Sequence, residues 1–245
     1  MASRRSVVTS QRLSKQTALL TGGTQGIGLA IARALLAEGC EVVITGRTQE
    51  KLDRAAKELA NKRAAPMICD ILDPRSIRVL FADLKRCFDR LDILINNAGI
   101  GQVSKNIAEL PLDSWSEVIE TNLTGTFLVT QAALPLMRSG SAIVNNLSIA
   151  AKEVFPGSAA YCASKHGALG FTNTLREELR PRKIRVIALL PGATDTAIWQ
   201  AVWPDAPRNK MMSPEAVATA VVNALAIPES ATIEELVIRP SIGVL

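Results

Sequence analysis

Tyr161 and Lys165 are the side chains whose types and spacing best suit proton transfer at one point. They stand four apart in a stretch that reads as helix, so they share a face. A free phenol titrates near pH ~10 and a lysine slightly higher, so neither exchanges protons readily at neutrality. An ammonium beside the phenol favours tyrosinate and lowers its pKa. The phenol then becomes a usable general acid or base. Tyr161 is the single tyrosine of the chain. A Tyr-x-x-x-Lys pair also arises by accident on surface helices, so its meaning depends on the segments around it.

The run Thr21-Gly22-Gly23-Thr24-Gln25-Gly26-Ile27-Gly28 follows an apolar strand and opens a helix. A dinucleotide needs its pyrophosphate held against backbone N–H groups at such a helix start, with side chains kept away. Gly22, Gly26 and Gly28 suit the tight turn, the close approach and the close packing of helix on strand. The next strand, Val42 to Thr45, ends in Gly46-Arg47 with no acid. An acid there commonly binds the ribose 2′-hydroxyl of NAD, whereas an arginine receives the 2′-phosphate of NADP. Arg47 therefore points to NADP, and its alternative is an ordinary surface arginine.

Strands and helices alternate to position these groups. Strands are expected at 17–21, 41–45, 65–69, 91–95, 141–147, 184–189 and 235–239. Helices are expected at 26–38, 49–62, 74–89, 114–137, 158–179 and 214–226, with Ser114 capping the fourth. Pro74 and Pro214 suit first helical turns. The rhythm predicts a single-domain, doubly wound α/β Rossmann fold: a seven-stranded, mainly parallel sheet with helices on both faces. Residues 1–14 are expected to form a flexible basic arm carrying Arg4, Arg5 and Arg12, with residues 15–245 forming one catalytic domain.

Composition excludes other classes. The 245 residues carry 28 Lys and Arg against 23 Asp and Glu, a net charge of +5 without a nucleic-acid motif. Cys40, Cys69, Cys87 and Cys162 match no zinc spacing, and one histidine is present, so no metal site is expected. A reducing, cytoplasmic setting is expected, with neither a signal peptide nor a membrane span.

Taken together the motifs resemble the short-chain dehydrogenase/reductase family. They are Thr-Gly-x-x-x-Gly-Ile-Gly at 21–28, Asn-Asn-Ala-Gly at 96–99, the Asn of Thr-Asn-Leu-Thr-Gly at 121–125, Ser148, Tyr-Cys-Ala-Ser-Lys at 161–165 and Pro-Gly at 191–192. Their order and spacing are family-like across residues 15 to 240. The resemblance implies hydride transfer between a nicotinamide and a carbonyl or secondary alcohol, as in a ketone or 3-ketoacyl reductase. Tyr161 would be the general acid or base. Lys165 would lower its pKa and hold the ribose, Ser148 would steady the substrate oxygen, and Asn122 would hold a water that relays protons. Thr24, Gln25 and Ile27 of the loop, with Asn96, Ala98 and Gly99, would line the cofactor site. Asp70 would bond the adenine, and Pro191, Gly192 and Thr194 the carboxamide.

Residues 195–213 would form the substrate lid, including Ile198, Trp199, Val202 and Trp203. With Ile149 and Phe155 these suit a substrate of hydrophobic bulk, or else pack against the body or a neighbouring subunit. Arg208 and Lys210 are the lid's cations for an anionic substrate. Leu147 departs from the family's frequent second serine, which is expected to change packing and leave the chemistry alone. The family's long helices imply a homotetramer or homodimer. An NAD-linked alcohol dehydrogenase, and a dinucleotide sensor without catalysis, remain as alternatives. The second is disfavoured because Asn122, Ser148, Tyr161 and Lys165 are all present.

Overall fold

A computed structural model describes residues 11–243. Strands β1 (Thr17–Leu20), β2 (Glu41–Gly46), β3 (Ala64–Ile68), β4 (Ile93–Asn96), β5 (Ala142–Asn146), β6 (Arg185–Pro191) and β7 (Glu235–Ile238) form one sheet in the order β3-β2-β1-β4-β5-β6-β7. Every pairing is parallel. Strand residues alternate between the two faces, and the core divides accordingly. Leu20, Ile44, Ile95 and Val144 pack under α1 (Gly26–Ala37), α2 (Gln49–Leu59) and α8 (Pro214–Leu225). Leu19, Val43, Leu94 and Ile143 pack under α3 (Pro74–Cys87), α5 (Gly125–Ala133) and α6 (Ala159–Leu179). Both faces are thus covered, as an all-parallel sheet requires. The seven-stranded doubly wound fold is the one the βαβ rhythm predicts.

The helix expected over 114–137 differs. It starts at Leu112, after Pro111 in extended conformation, so Ser114 is not its cap. Helix α4 (Leu112–Ile119) passes into a π turn at Glu120–Thr124 before α5, and a 3₁₀ turn follows at Leu134–Leu136. Asn122 lies inside the π turn and is buried. A π turn re-aims the residues within it, and such turns recur at functional sites.

The expected arm also ends early. Leu13 is buried, and Arg12 pairs with Glu38 while donating to Asn223. Arg4 and Arg5 lie outside the described residues. All four thiols are free, and burial pushes Cys40 up to about 12, as for an inert core thiol. Among the described residues no helix is long and apolar enough to cross a membrane.

Candidate active site

The phosphate loop leaves β1 and turns through Gly22 (φ +64°) and Gly26 (φ +54°). Its shape depends on missing side chains. A methyl at Gly22 would lie 2.9 Å from the Ala98 Cα, and one at Gly28 2.4 Å from the Gly22 carbonyl oxygen. Gly28 therefore lets the helix start close onto its own loop. Asn97 fixes the loop to the end of β4: its Nδ2 donates to the carbonyls of Thr21 and Gly22 at 3.0 and 2.9 Å. The Thr21 hydroxyl accepts from the backbone N–H groups of Asn97 and Ala98. Gln25 at the N-cap makes no side-chain cap and the first turn of α1 holds no acid. Its first N–H groups are therefore left for an anion. This glycine cradle fits a dinucleotide pyrophosphate.

Thr24 reaches the end of β2, where its Cγ2 would lie 2.8 Å from a methyl at Gly46. Arg47 follows there, exposed. At the end of β3, Asp70 accepts from the Leu72 N–H at 2.9 Å. On the far side Thr196, which sequence reasoning passed over, has its Cγ2 3.1 Å from where a Gly26 methyl would stand. Thr194 instead turns inward, buried, and donates to the Gly192 carbonyl at 3.0 Å. The second threonine of Pro-Gly-Ala-Thr-Asp-Thr is the one facing the loop.

Helix α6 carries Tyr161 and Lys165. Lys165 is buried, its Nζ 5.6 Å from the Tyr161 ring centroid and donating to the Asn146 carbonyl at 3.2 Å. Burial brings the Lys165 pKa down to about 8. Burial pushes Tyr161 above its ordinary value, the Ser148 hydroxyl opposes this by hydrogen bonding, and Cys162 adds to the rise. The expected lowering of Tyr161 by Lys165 is therefore not a property of the free chain. Loss of water dominates over the Ser148 hydrogen bond, and the Lys165 ammonium is engaged with the Asn146 carbonyl.

Ser148 follows β5 and caps the short turn Ile149–Ala151, accepting from the Ala150 N–H at 3.1 Å. Leu147, in the departed position, is buried with Ala151, Ala168 and Leu190. That is packing, as expected. The Asn122 side chain is bonded to the loop after β4 and to α6. Its Oδ1 accepts from the Ile100 N–H at 2.8 Å, and its Nδ2 donates to the Ile100 carbonyl and to Ser164 Oγ. It pins the loop after β4 beside Lys165; a methyl on Gly99 would lie 3.0 Å from Asn122 Oδ1 and 3.7 Å from Lys165 Nζ.

Asn96 was expected in the cofactor site, but its side chain turns the other way. Buried, its Nδ2 donates to Thr130 Oγ1 and to Asn145 Oδ1, each at 2.8 Å. Asn145 then donates to Thr172 Oγ1. Asn96 and Asn145 are register partners across β4 and β5, so this chain of amides ties two strands to α5 and α6. Asn97, one residue on, faces the phosphate loop and accepts from Asn146 Nδ2 at 2.8 Å.

Helix α7 (Ile198–Val202) lies over the loop after β4 through Ile198 and Val202, both close to Gly101. Trp199 sits on the same helix and Trp203 follows its end. They stack edge to face at 6.3 Å, with Trp199 Nε1 donating to the Thr194 carbonyl and Trp203 46% exposed. Ile149 is buried and Phe155 half-buried. Arg208 is engaged by Asp195, which removes it as a free anion receptor.

Residues 16–207 match the family described as short chain dehydrogenase. An uncharacterised oxidoreductase of Staphylococcus aureus is 35% identical over 230 residues, 93% of this chain and 98% of its own. A 3β-hydroxysteroid dehydrogenase of Mediterraneibacter gnavus is 38% identical over 190 residues, 76% of this chain and 69% of its own. Among solved structures, a variant of actinorhodin polyketide ketoreductase with NADPH superposes with a TM-score of 0.83 at 33% identity, covering 94% of this chain and 97% of that one. A short-chain type dehydrogenase/reductase from Mycobacterium marinum gives 0.84 at 28% identity, covering 96% and 98%. The chain belongs to the short-chain dehydrogenase/reductase family. It is an oxidoreductase of the CH–OH/carbonyl interconversion, and its family binds a nicotinamide dinucleotide.

Proposed function

We propose that this protein is an NADPH-dependent ketone reductase for substrates with hydrophobic bulk. The reading rests on one observation: Tyr161, Ser148 and Lys165 meet beside the glycine cradle, under a loop held by Asn122. Reduced nicotinamide bound there supplies the hydride. The Tyr161 hydroxyl donates its proton to the carbonyl oxygen, and Ser148 hydrogen-bonds that oxygen as negative charge develops. Lys165 holds the ribose hydroxyls, and its charge draws the Tyr161 pKa down from its free-chain value. Asn122 holds the floor of the site and a water that links Lys165 to solvent. Gly22, Thr24, Gln25, Gly26, Ile27 and Gly28 receive the pyrophosphate; Asp70 takes the adenine. Ala98, Gly99, Pro191, Gly192 and Thr194 border the nicotinamide, and Asn97 and Thr196 join them.

Arg47 receives the 2′-phosphate. The NADPH of the polyketide ketoreductase structure supports this choice. The bulky substrate is supported by the apolar surfaces of Ile149, Phe155, Ile198 and Trp199, and by relatives named for polyketides and a steroid. Residues 195–213 form the lid of one cytoplasmic catalytic domain. The protein assembles as a homotetramer or homodimer through α4, α5 and α6, where Phe127 and Phe171 stack on an exposed face.

The test is steady-state turnover of the acetoacetyl thioester of N-acetylcysteamine, a 3-oxo steroid and an aliphatic ketone with NADPH and with NADH. NADPH is expected to give the higher kcat/KM. Arg47→Asp should cut that preference by about 10- to 100-fold, the worth of a charge-assisted phosphate contact. An unchanged preference removes the Arg47 assignment, and no turnover of any of the three ketones removes the reductase reading.

A further inference from the structure

Helix α6 begins without a cap of its own. Ser158 occupies the N-cap position, yet its side chain makes no cap hydrogen bond. The backbone N–H of Tyr161, in the first turn, would be left without a helical partner. Gln102 supplies one from 59 residues away, its Oε1 accepting from the Tyr161 N–H at 3.0 Å. Its Nε2 donates at 3.0 Å to the carbonyl of Gly157, the residue before Ser158. The side chain is buried, with the whole residue only 5% exposed.

The same loop runs back to the cofactor side. Two residues before Gln102, the backbone of Ile100 is held from both sides by Asn122. One residue before Gln102, at Gly101, helix α7 rests through Ile198 and Val202. The two ends of the Gln102 amide are not equivalent. Gly157 O also accepts from the Lys105 N–H at 2.9 Å, so it keeps a partner if Nε2 is lost. Among the described residues Gln102 is the partner of the Tyr161 N–H.

We propose that Gln102 is a positioning residue for the proton donor: it caps helix α6 from outside and fixes the Tyr161 backbone to the loop after β4. This rests on the reading of Tyr161 as the general acid. The acceptor oxygen carries the role; a glutamate in its neutral form keeps both that acceptor and a donor to the Gly157 carbonyl, whereas its carboxylate would set a second oxygen against that carbonyl. A thioether of the same length removes the acceptor oxygen. Small displacements of a reacting group cost rate disproportionately.

The experiment compares wild type with Gln102→Met, Gln102→Glu, Gln102→Asn and Tyr161→Phe. Turnover is read on the ketone best reduced by the wild type, NADPH affinity by fluorescence titration, and amide hydrogen exchange over residues 155–163 in the free protein. Gln102→Met is expected to lower kcat about 10-fold while NADPH affinity moves less than about 2-fold, and to speed exchange over 155–163. Gln102→Glu should restore kcat to within about 3-fold of wild type and restore protection at acidic pH, where the side chain is neutral, and lose both as it ionises. Gln102→Asn, too short to span both partners, should follow Met and serves in its place if Met does not fold. The inference is overturned if Met and Asn leave kcat unchanged, if Glu fails to rescue at acidic pH, or if rate and NADPH affinity fall together. Should Tyr161→Phe retain full turnover, the reading of Tyr161 fails instead, which separates the two outcomes.

Discussion

The phosphate loop at 21–28 takes its shape from atoms that are absent, whereas the proton-transfer site takes its shape from side chains contributed by distant segments. In the loop, Gly22 and Gly26 adopt left-handed backbone and Gly28 lets a helix close onto a carbonyl. Around Tyr161, the loop after β4, the π turn, the end of β5 and the start of α6 are joined by amides: Asn97 to Asn146, Asn122 to Ile100, Gln102 to Tyr161. The contrast teaches that a binding cradle can be written in eight consecutive residues, but a reacting geometry requires the whole sheet edge. It also separates the effects of substitution. Damage to the loop should appear in cofactor affinity, and damage to the amide network in stability and rate.

The largest expected break falls on the loop. Gly28→Ala places a methyl 2.4 Å from the Gly22 carbonyl and 2.5 Å from Asn97 Nδ2. Overpacking of this kind costs about 1–3 kcal/mol, so NADPH affinity by titration should fall about 10- to 100-fold. An unchanged affinity would mean the loop is not the pyrophosphate site. On the other side, Asn145→Ala removes one of the two acceptors of Asn96 Nδ2 and the donor to Thr172 Oγ1 inside the sheet–helix interface. Buried polar groups left this way cost about 1–3 kcal/mol, read as a lower denaturation midpoint. The same variant should leave NADPH affinity nearly unmoved; a large loss of affinity would mean that the two regions are one cooperative unit.

A smaller effect sharpens the contrast through pH. In the free chain Lys165 titrates at about 8, and Tyr161 lies above its ordinary range. Tyr161 thus stays protonated at neutrality and ready to donate, while Lys165 loses its charge as pH rises through about 8. Since kcat/KM for NADPH reports the free enzyme, that parameter should fall severalfold above that point. A kcat/KM profile that stays flat up to pH ~10, the ordinary phenol range, would contradict the burial of Lys165.

The glycine turn and the succession of parallel strands and helices were legible because each depends on local chemistry: glycines where no Cβ fits, apolar runs bounded by turns. Tyr161 and Lys165 were legible because one helix carries both. What was misread depends on direction and distance. Asn96 and Asn97 are adjacent and chemically alike, and only the pleat at the end of β4 sends one into the core and the other to the loop. The π turn hides within a pattern that reads as continuous helix, since helical periodicity is nearly kept across it. The sign of the Tyr161 shift was missed because burial is a tertiary property. Gln102 acts across 59 residues and carries no local signal.

The most direct test of the whole account is transfer of deuterium from NADPH labelled at the nicotinamide C4 to a ketone, followed by mass spectrometry of the product alcohol. Wild type should place deuterium on the carbinol carbon, and Tyr161→Phe should lower product formation at least about 100-fold while binding NADPH normally. Undiminished product from Tyr161→Phe would contradict the account.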